Sequence, residues 1–321
     1  MNERAMLQHP VMRCLRRALQ AQGLHNSPLV AAVSGGRDST AMVAALAMLQ
    51  QRSEAGLVRI LHVHHGQRAA SDDEAAAVER LGERLQLPVE VVRLTCPPGI
   101  APAALRDARY EALARAAHAC SADAVCVAHH ADDQLETIVL ALTRGAGPRG
   151  LAGMADLRTL DAEVLLSRPL LQVTRDELTD FCTRLDLPFC DDPGNVDPDT
   201  LRGRLRQDVL PVLESMRPGA AARVAAMAPV QAAAATALQA VLPQPVDDAW
   251  DRAVLARLPH AIRVAAVHRA VCETVAVDDL SSATLADACD AIGDAREHLR
   301  TFELGGGATL AVAANTVTMS S

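Results

Sequence analysis

The sequence predicts an α/β protein: a doubly wound parallel sheet with helices on both faces, followed by a smaller, mainly helical region. Three observations lead there. Short β-prone apolar runs alternate with longer stretches of helical spacing through the first two-thirds of the chain. Polar strings stand at the carboxyl ends of several of those runs, where open parallel sheets place their ligands. From Pro218 onward the composition shifts to alanine-rich helical sequence.

The first run, residues 30–33, leads into a helix over 40–51 with Met42, Val43, Leu46 and Leu49 at helical spacing. Runs at 58–63, 89–94 and 124–128 follow, each before a helical stretch: 71–85, 103–120 and 133–142. Such alternation builds βαβ units. A further strand at 164–167 and a helix at 175–185 precede LPFCDDPGNVDPD, whose glycine, asparagine and prolines mark a loop; a helix resumes near Leu201. The last eighty or so residues read as two or three helices and a hairpin-like tail, FELGGGATLAVAANTVTM. A boundary near 215 divides the chain into a catalytic domain over 1–215 and a helical accessory domain with a short β tail over 216–321.

Half of the residues are hydrophobic but only 2% are aromatic, so the cores are built from alanine, valine and leucine. The eight cysteines form no CxxC pair, which argues for reduced packing residues rather than structural zinc. All 31 basic residues are arginine. A GxxxxGK[ST] phosphate loop and a catalytic lysine are thereby excluded. A net charge of −8 argues against broad coating of nucleic acid, while leaving room for a local arginine stripe. The apolar segment 219–241 is interrupted by Arg223, Pro229 and Gln231, and Glu3, Gln8, His9 and Arg13 spread along the N-terminus. The expectation is a soluble, cytoplasmic protein with no membrane span and no signal region.

Two strings carry chemistry. In SGGRDS, residues 34–39, Gly35 and Gly36 let the chain turn between strand and helix, and the helix N-terminus with the loop N–H groups offers a seat for phosphate. Ser34 and Ser39 add hydroxyls, and Asp38 can hold magnesium. A plain strand-to-helix turn capped by Asp38 or Ser39 is the alternative. In VAHHADDQLETIVLAL, Asp132 and Glu136 are spaced to share one helix face, with Asp133 about 100° away. These acids could hold magnesium against a triphosphate, or merely complement the helix dipole. Arginines 106, 109, 144, 149, 168, 202, 204 and 206 all border predicted loops, where guanidinium can clamp phosphate bidentately.

The ordered series SGGRDS, HVHHGQR, RDARY, AHHADDQLET, RGAGPRGLAGM, RPLL and DPGN followed by RGRLR resembles the PP-loop ATP pyrophosphatases, and among them the lysidine-forming enzymes that modify tRNA. These motifs cover about two-thirds of the chain. The resemblance implies that ATP adenylates the first anticodon cytidine of tRNA(Ile) with a CAU anticodon and that free lysine then displaces AMP. It implies that Ser34, Gly35, Gly36, Arg37, Asp38 and Ser39 bind ATP, with Asp38 and Asp133 near Mg2+. His65, Arg68, Arg106, Arg109, Arg149, Arg202 and Arg206 would line the nucleotide, lysine or tRNA paths, and a homodimer is implied by resemblance alone. Lysine's amine must lose a proton before it attacks; Asp133 and His129 are both candidates to take it. In the RNxxR string of the family, Gly203 here replaces asparagine. A tRNA thiolase using an iron–sulfur cluster would need paired cysteines, and a silent ATP- or tRNA-binding relative would not need SGGRDS and DDQLET intact.

Overall fold

The computed structural model describes residues 3–64, 70–95, 97, 99–189, 200–274 and 282–320. The chain divides into two compact units, residues 1–139 with 152–229, and residues 140–151 with 230–321.

The first unit begins with helices α1 (Glu3–Leu7) and α2 (Pro10–Ala21), then β1 (Leu29–Ala32), α3 (Arg37–Gln51), β2 (Val58–His64), α4 (Ala70–Leu85), β3 (Val89–Arg93), α5 (Pro102–Ala119), β4 (Ala124–Cys126) and α6 (Ala131–Thr143). After α7 (Pro148–Leu151) come β5 (Leu157–Thr159), β6 (Leu165–Ser167) and α8 (Arg175–Arg184). Then follow α9 (Leu201–Arg204), a π-helical turn over Leu205–Val209, α10 (Leu210–Met216) and α11 (Ala220–Val241).

The six strands form one sheet in the order β3-β2-β1-β4-β6-β5, parallel throughout except for the edge strand β5. Alternation along each strand feeds two cores. Leu29, Ala31, Ile60, Ala124 and Cys126 face one side, packed with α2, α3 and α8 through Leu15, Met42, Leu46 and Phe181. Val30, Leu61, Val125 and Leu166 face the other, against Leu113, Ala116 and Ala117 of α5. Small residues let α3 lie close on every side: Ala41, Ala44, Ala45 and Ala47 are all buried. Sequence periodicity placed this core well.

Two elements of this unit differ from expectation. Helix α2 was not anticipated; it starts with Pro10 in its first turn, is capped by the His9 side chain, and buries Val11, Met12, Leu15 and Leu19. Strand β5, three residues long, pairs antiparallel with β6 from Leu157↔Ser167 to Thr159↔Leu165. So short a segment, with Arg158 and Thr159 exposed, shows no apolar run from which to predict it.

Helix α8 is set by a capping box. Thr174 Oγ1 accepts from Glu177 N at 3.3 Å, and Glu177 Oε2 accepts from Thr174 N at 2.8 Å. Thr174→Ala is expected to cost about 1 kcal/mol of unfolding free energy. Urea melts of the two proteins measure it.

Ala220–Val241 is one continuous 22-residue helix, despite Pro229 inside it. By length and composition alone it is long and apolar enough to cross a membrane, with mean hydropathy 1.4 over its most apolar window. The expectation that Arg223, Pro229 and Gln231 would break this stretch is not met. A single charge and one lost donor are tolerated where alanine's helix propensity dominates.

The second unit contains α7 and, after α11, β7 (Ala249–Asp251), α12 (Arg252–Ala256), α13 (His260–Thr274), α14 (Ser282–Gly293), β8 (Arg300–Gly305), β9 (Ala308–Val312) and β10 (Thr316–Ser320). The tail is more than a hairpin: β8, β9 and β10 form an antiparallel meander, and β7 pairs with β10. Its core joins Trp250, Val267, Val271, Leu285, Ile292, Leu304, Leu310 and Val317. Arg252, almost wholly buried, ties this unit together by donating to the backbone oxygens of Ile292, Ala291, Asp294, Arg296 and Ala313. A guanidinium with five N–H donors suits that task; an ammonium could not reach all five.

Candidate active site

The site grows from the carboxyl ends of β1 and β4. After β1 the chain turns through Ser34 and Gly35, whose φ of +87° favours glycine. Gly36 then caps α3 in an extended conformation and offers no side-chain cap. The serines brace the loop instead. Ser39 Oγ donates to Gly36 O at 3.0 Å and accepts from Ser34 N at 3.2 Å, while Ser34 Oγ accepts from Gly36 N at 3.4 Å. Neither Asp38 nor Ser39 caps the helix, so the plain-turn alternative loses its main support. The N-terminus of α3 remains open to an anion.

Asp38 instead turns toward the strand-to-helix junction after β4. There His130, 5% exposed, is surrounded by carboxylates. Its Nε2 lies 3.5 Å from Asp38 Oδ2 and 3.6 Å from Asp133 Oδ2, and its Nδ1 lies 3.3 Å from Asp132 Oδ2. Burial alone would lower the His130 pKa, but Asp133, Asp132 and Asp38 more than offset it and raise it to about 10. Burial likewise opposes ionisation of Asp38, yet His130 and then Arg37 bring it down to about 2. These two shifts are one interaction seen from both partners.

The signs fix a pH window. His130, raised from 6.5, contributes stability that is complete below pH 6.5 and is lost as pH rises through about 10. Asp38, lowered from 3.8, contributes stability that is complete above that value and is lost as pH falls through about 2. The imidazole resonances of His130 are therefore expected to stay in the protonated position from about pH 5.5 to 8.5 in an NMR titration. A His130 that titrates near its ordinary value contradicts the arrangement.

On α6, the pairing differs from the expected Asp132 and Glu136. Arg206 NH2 donates to Asp133 Oδ1 at 3.0 Å and to Glu136 Oε2 at 3.1 Å, while its Nε donates to Glu136 Oε1. Residues i and i+3 share the working face. Asp132 takes no part in this pairing; its Oδ2, the oxygen beside His130 Nδ1, also accepts from Arg175 N at the start of α8, at 2.9 Å. Glu136 is only 3% exposed; burial raises its pKa and Arg206 resists that rise. Arg206 belongs to the π-helical turn, a feature often found at functional sites. The substitution at Gly203 is accommodated within α9, where its N–H meets Thr200 Oγ1 at 3.0 Å.

His129 is half-buried beside this centre, and its Nδ1 has no partner. Burial pulls its pKa down to about 4, Asp133 opposing and Arg168, Arg109 and Arg106 assisting. It is neutral at pH 7, but a weak base. Arg106 and Arg109 lie against Tyr110 on α5. Arg202 is exposed and acts on Glu136 electrostatically. Arg149 is an exposed residue of α7 in the second unit. His65 and Arg68 lie outside the described residues. Asp38, Asp133 and Arg206 are thus brought together with Glu136, which the sequence had grouped among the acids of α6, and with His130, for which it gave no role. The HH doublet three residues before Asp133 was the available clue to His130.

Among the described residues, no group of three or more His, Cys, Asp and Glu side chains converges to hold a metal by itself. Asp38 and Asp133 nevertheless bring hard oxygen donors to within 3.5 and 3.6 Å of the same nitrogen of His130. That donor set fits magnesium only if phosphate oxygens or water complete its shell.

Comparison with known proteins agrees with this geometry. The PP-loop domain family matches residues 7–213. The tRNA(Ile)-lysidine synthase of Salinispora arenicola (strain CNS-205) is 44% identical over 234 residues, covering 71% of this chain and 69% of that protein. The enzyme of the same name from Salinispora tropica is 45% identical over 212 residues, covering 64% and 62% respectively. The chain therefore spans less than two-thirds of that second relative. Among solved structures, the U34-tRNA thiolase from Methanococcus maripaludis with its [4Fe-4S] cluster superposes with a TM-score of 0.59 at 19% identity, covering 70% of this chain and 79% of that one. That likeness is one of fold. With an open phosphate loop, a buried histidine held by three aspartates, and relatives above 40% identity, the chain belongs to the PP-loop family, in the branch of the tRNA(Ile)-lysidine synthases.

Proposed function

We propose that this chain joins free lysine to the first anticodon cytidine of a CAU-anticodon tRNA(Ile), consuming ATP and releasing pyrophosphate and AMP. One observation carries the reading: Asp38 of the phosphate loop and Asp133 of α6 approach the same nitrogen of His130. Anion seat and acid cluster therefore form one centre. A nucleotide whose phosphates rest on the α3 N-terminus would bring its α-phosphorus beside that cluster.

The cytosine O2 attacks the α-phosphate, the bond to the β-phosphate breaks, and pyrophosphate leaves with the electron pair. Lysine's free amine then adds at C2, the C–O bond breaks, and AMP departs; the amine sheds one proton. Adenylation makes a poor leaving oxygen a good one. Magnesium, held through Asp38 and Asp133, would supply charge neutralisation at the phosphates. His130 contributes a fixed positive charge and holds both aspartates in place. Asp133 and His129 remain the acceptors considered for the amine's proton, and buried Glu136 joins them, since its raised pKa favours proton uptake. Arg206 orients Asp133 and Glu136 together. A cytoplasmic setting and a homodimer belong to the same reading.

The test uses α-labelled ATP with magnesium, with and without the tRNA(Ile) transcript. AMP is expected only when tRNA and lysine are both present. AMP release independent of tRNA would sink the proposal.

A further inference from the structure

Tyr110, the single tyrosine of the chain, sits inside a cage of arginines. The guanidinium carbons of Arg106, Arg109 and Arg158 stand 5.1, 5.4 and 5.1 Å from its ring centroid. Arg106 NH2 also donates to the Tyr110 hydroxyl at 3.2 Å. Arg168 approaches the same hydroxyl from the end of β6 and, though 5% exposed, uses NH1 on the Ala155 carbonyl at 2.7 Å. Burial raises the pKa of the phenol, yet Arg106, Arg109 and Arg168 together leave it below its ordinary value.

None of these four guanidinium groups makes an ion pair among the described residues. Two of their buried donors, Arg109 Nε and Arg168 Nε, have no hydrogen-bond partner. Four like charges around one ring, one of them almost fully buried, are costly to assemble in a chain whose acids outnumber its bases. An oxyanion would offset that cost, since it satisfies the idle N–H donors and the charge at once. The cage grades from solvent inward: Arg106 and Arg158 are exposed, Arg109 is half-buried and Arg168 is buried. It also borders the reaction centre, because Arg168, Arg109 and Arg106 all act on His129.

We propose that Arg106, Arg109, Arg158 and Arg168 around Tyr110 form a seat for a phosphodiester of the RNA strand beside the reacting nucleotide. This rests on the functional reading above and adds Arg158 and Arg168 to the substrate path. Guanidinium groups clamp phosphodiester oxygens, and the outer pair of arginines can meet a backbone that arrives from solvent, while the buried Tyr110 ring holds the guanidinium groups rather than a base. The acceptor is a strand rather than a free anion because the cage is open at Arg106 and Arg158. Asp107, Glu111 and Asp161 line the cleft beside Tyr110 and Arg158, so the positive charge of the cage is confined to the four guanidinium groups themselves.

The test measures dissociation of the tRNA(Ile) transcript against salt for the intact chain, Arg158→Ala and Arg158→Lys. Arg158 is exposed, so its removal leaves the fold intact, which thermal melting checks. Loss of one phosphate contact should weaken binding about 5- to 10-fold at low salt and reduce the slope of log K against log salt by about 0.7. Arg158→Lys should keep the slope while binding less tightly, having lost the fork. The KM for lysine should not move. An unchanged slope in Arg158→Ala, or a raised KM for lysine with RNA affinity intact, overturns the seat while leaving the lysidine reading standing. An intact chain that binds no tRNA overturns both.

Discussion

Arg206→Ala should destabilise the first unit by about 2–3 kcal/mol and lower the rate of lysine transfer at least 100-fold. Removing one partner of a buried ion pair costs about 3–5 kcal/mol, because the other charge is left without compensation. Here a quarter of the Arg206 side chain still meets solvent, which discounts the figure. Glu136, however, is buried and would take up a proton once its guanidinium partner is gone. The activity loss, about 2.7 kcal/mol or more in barrier height, should therefore at least match the stability loss. Asp133 loses the donor on its Oδ1, and the two carboxylates no longer share an orientation. Arg206→Lys separates the two effects: charge returns, but a point charge cannot bridge both acids as the planar fork does. Urea melts with single-turnover rates on the three proteins give the comparison, and an Arg206→Ala chain of normal activity would remove Arg206 from the centre.

Asp38→Asn should leave the fold intact and slow tRNA-dependent pyrophosphate release about 100- to 1,000-fold, the scale seen when one preorganised electrostatic group is lost from a polar centre. The amide keeps the shape of the side chain and discards its charge. Two consequences follow from the geometry. One oxygen donor for a magnesium ion is weakened, and His130 loses one of its three carboxylates. The His130 pKa should consequently fall below about 10 while staying above that of an isolated imidazole, because Asp132 and Asp133 remain. Rapid-quench measurement of pyrophosphate and an NMR titration of the same variant read both. Release at the normal rate would show that Asp38 has no part in adenylation.

Much of this centre was legible in the sequence, for identifiable reasons. Alternating apolar residues such as Leu29, Val30 and Ala31 feed opposite cores, so the sheet announces itself by period. Gly35, at a φ of +87°, marks a turn that few other residues could make, so the phosphate loop does too. Spacing along α6 was less reliable. It grouped Asp132 with Glu136, although Asp132 reaches the start of α8 and it is Asp133 that shares Arg206 with Glu136. His130 was hidden for another reason: its charge is set by Asp38, which is 92 residues away in the chain, and no local pattern reports such a partner. Arg158 sits on a three-residue edge strand with no apolar signature, so its convergence with Arg168 on Tyr110 emerges only from the fold.

The most direct test of the central claim is magnesium- and ATP-dependent incorporation of labelled lysine into a CAU-anticodon tRNA(Ile) transcript, with the methionine tRNA of the same anticodon alongside. Incorporation into the isoleucine tRNA alone is the predicted result. A folded chain that binds ATP and tRNA yet transfers no lysine to either would contradict it.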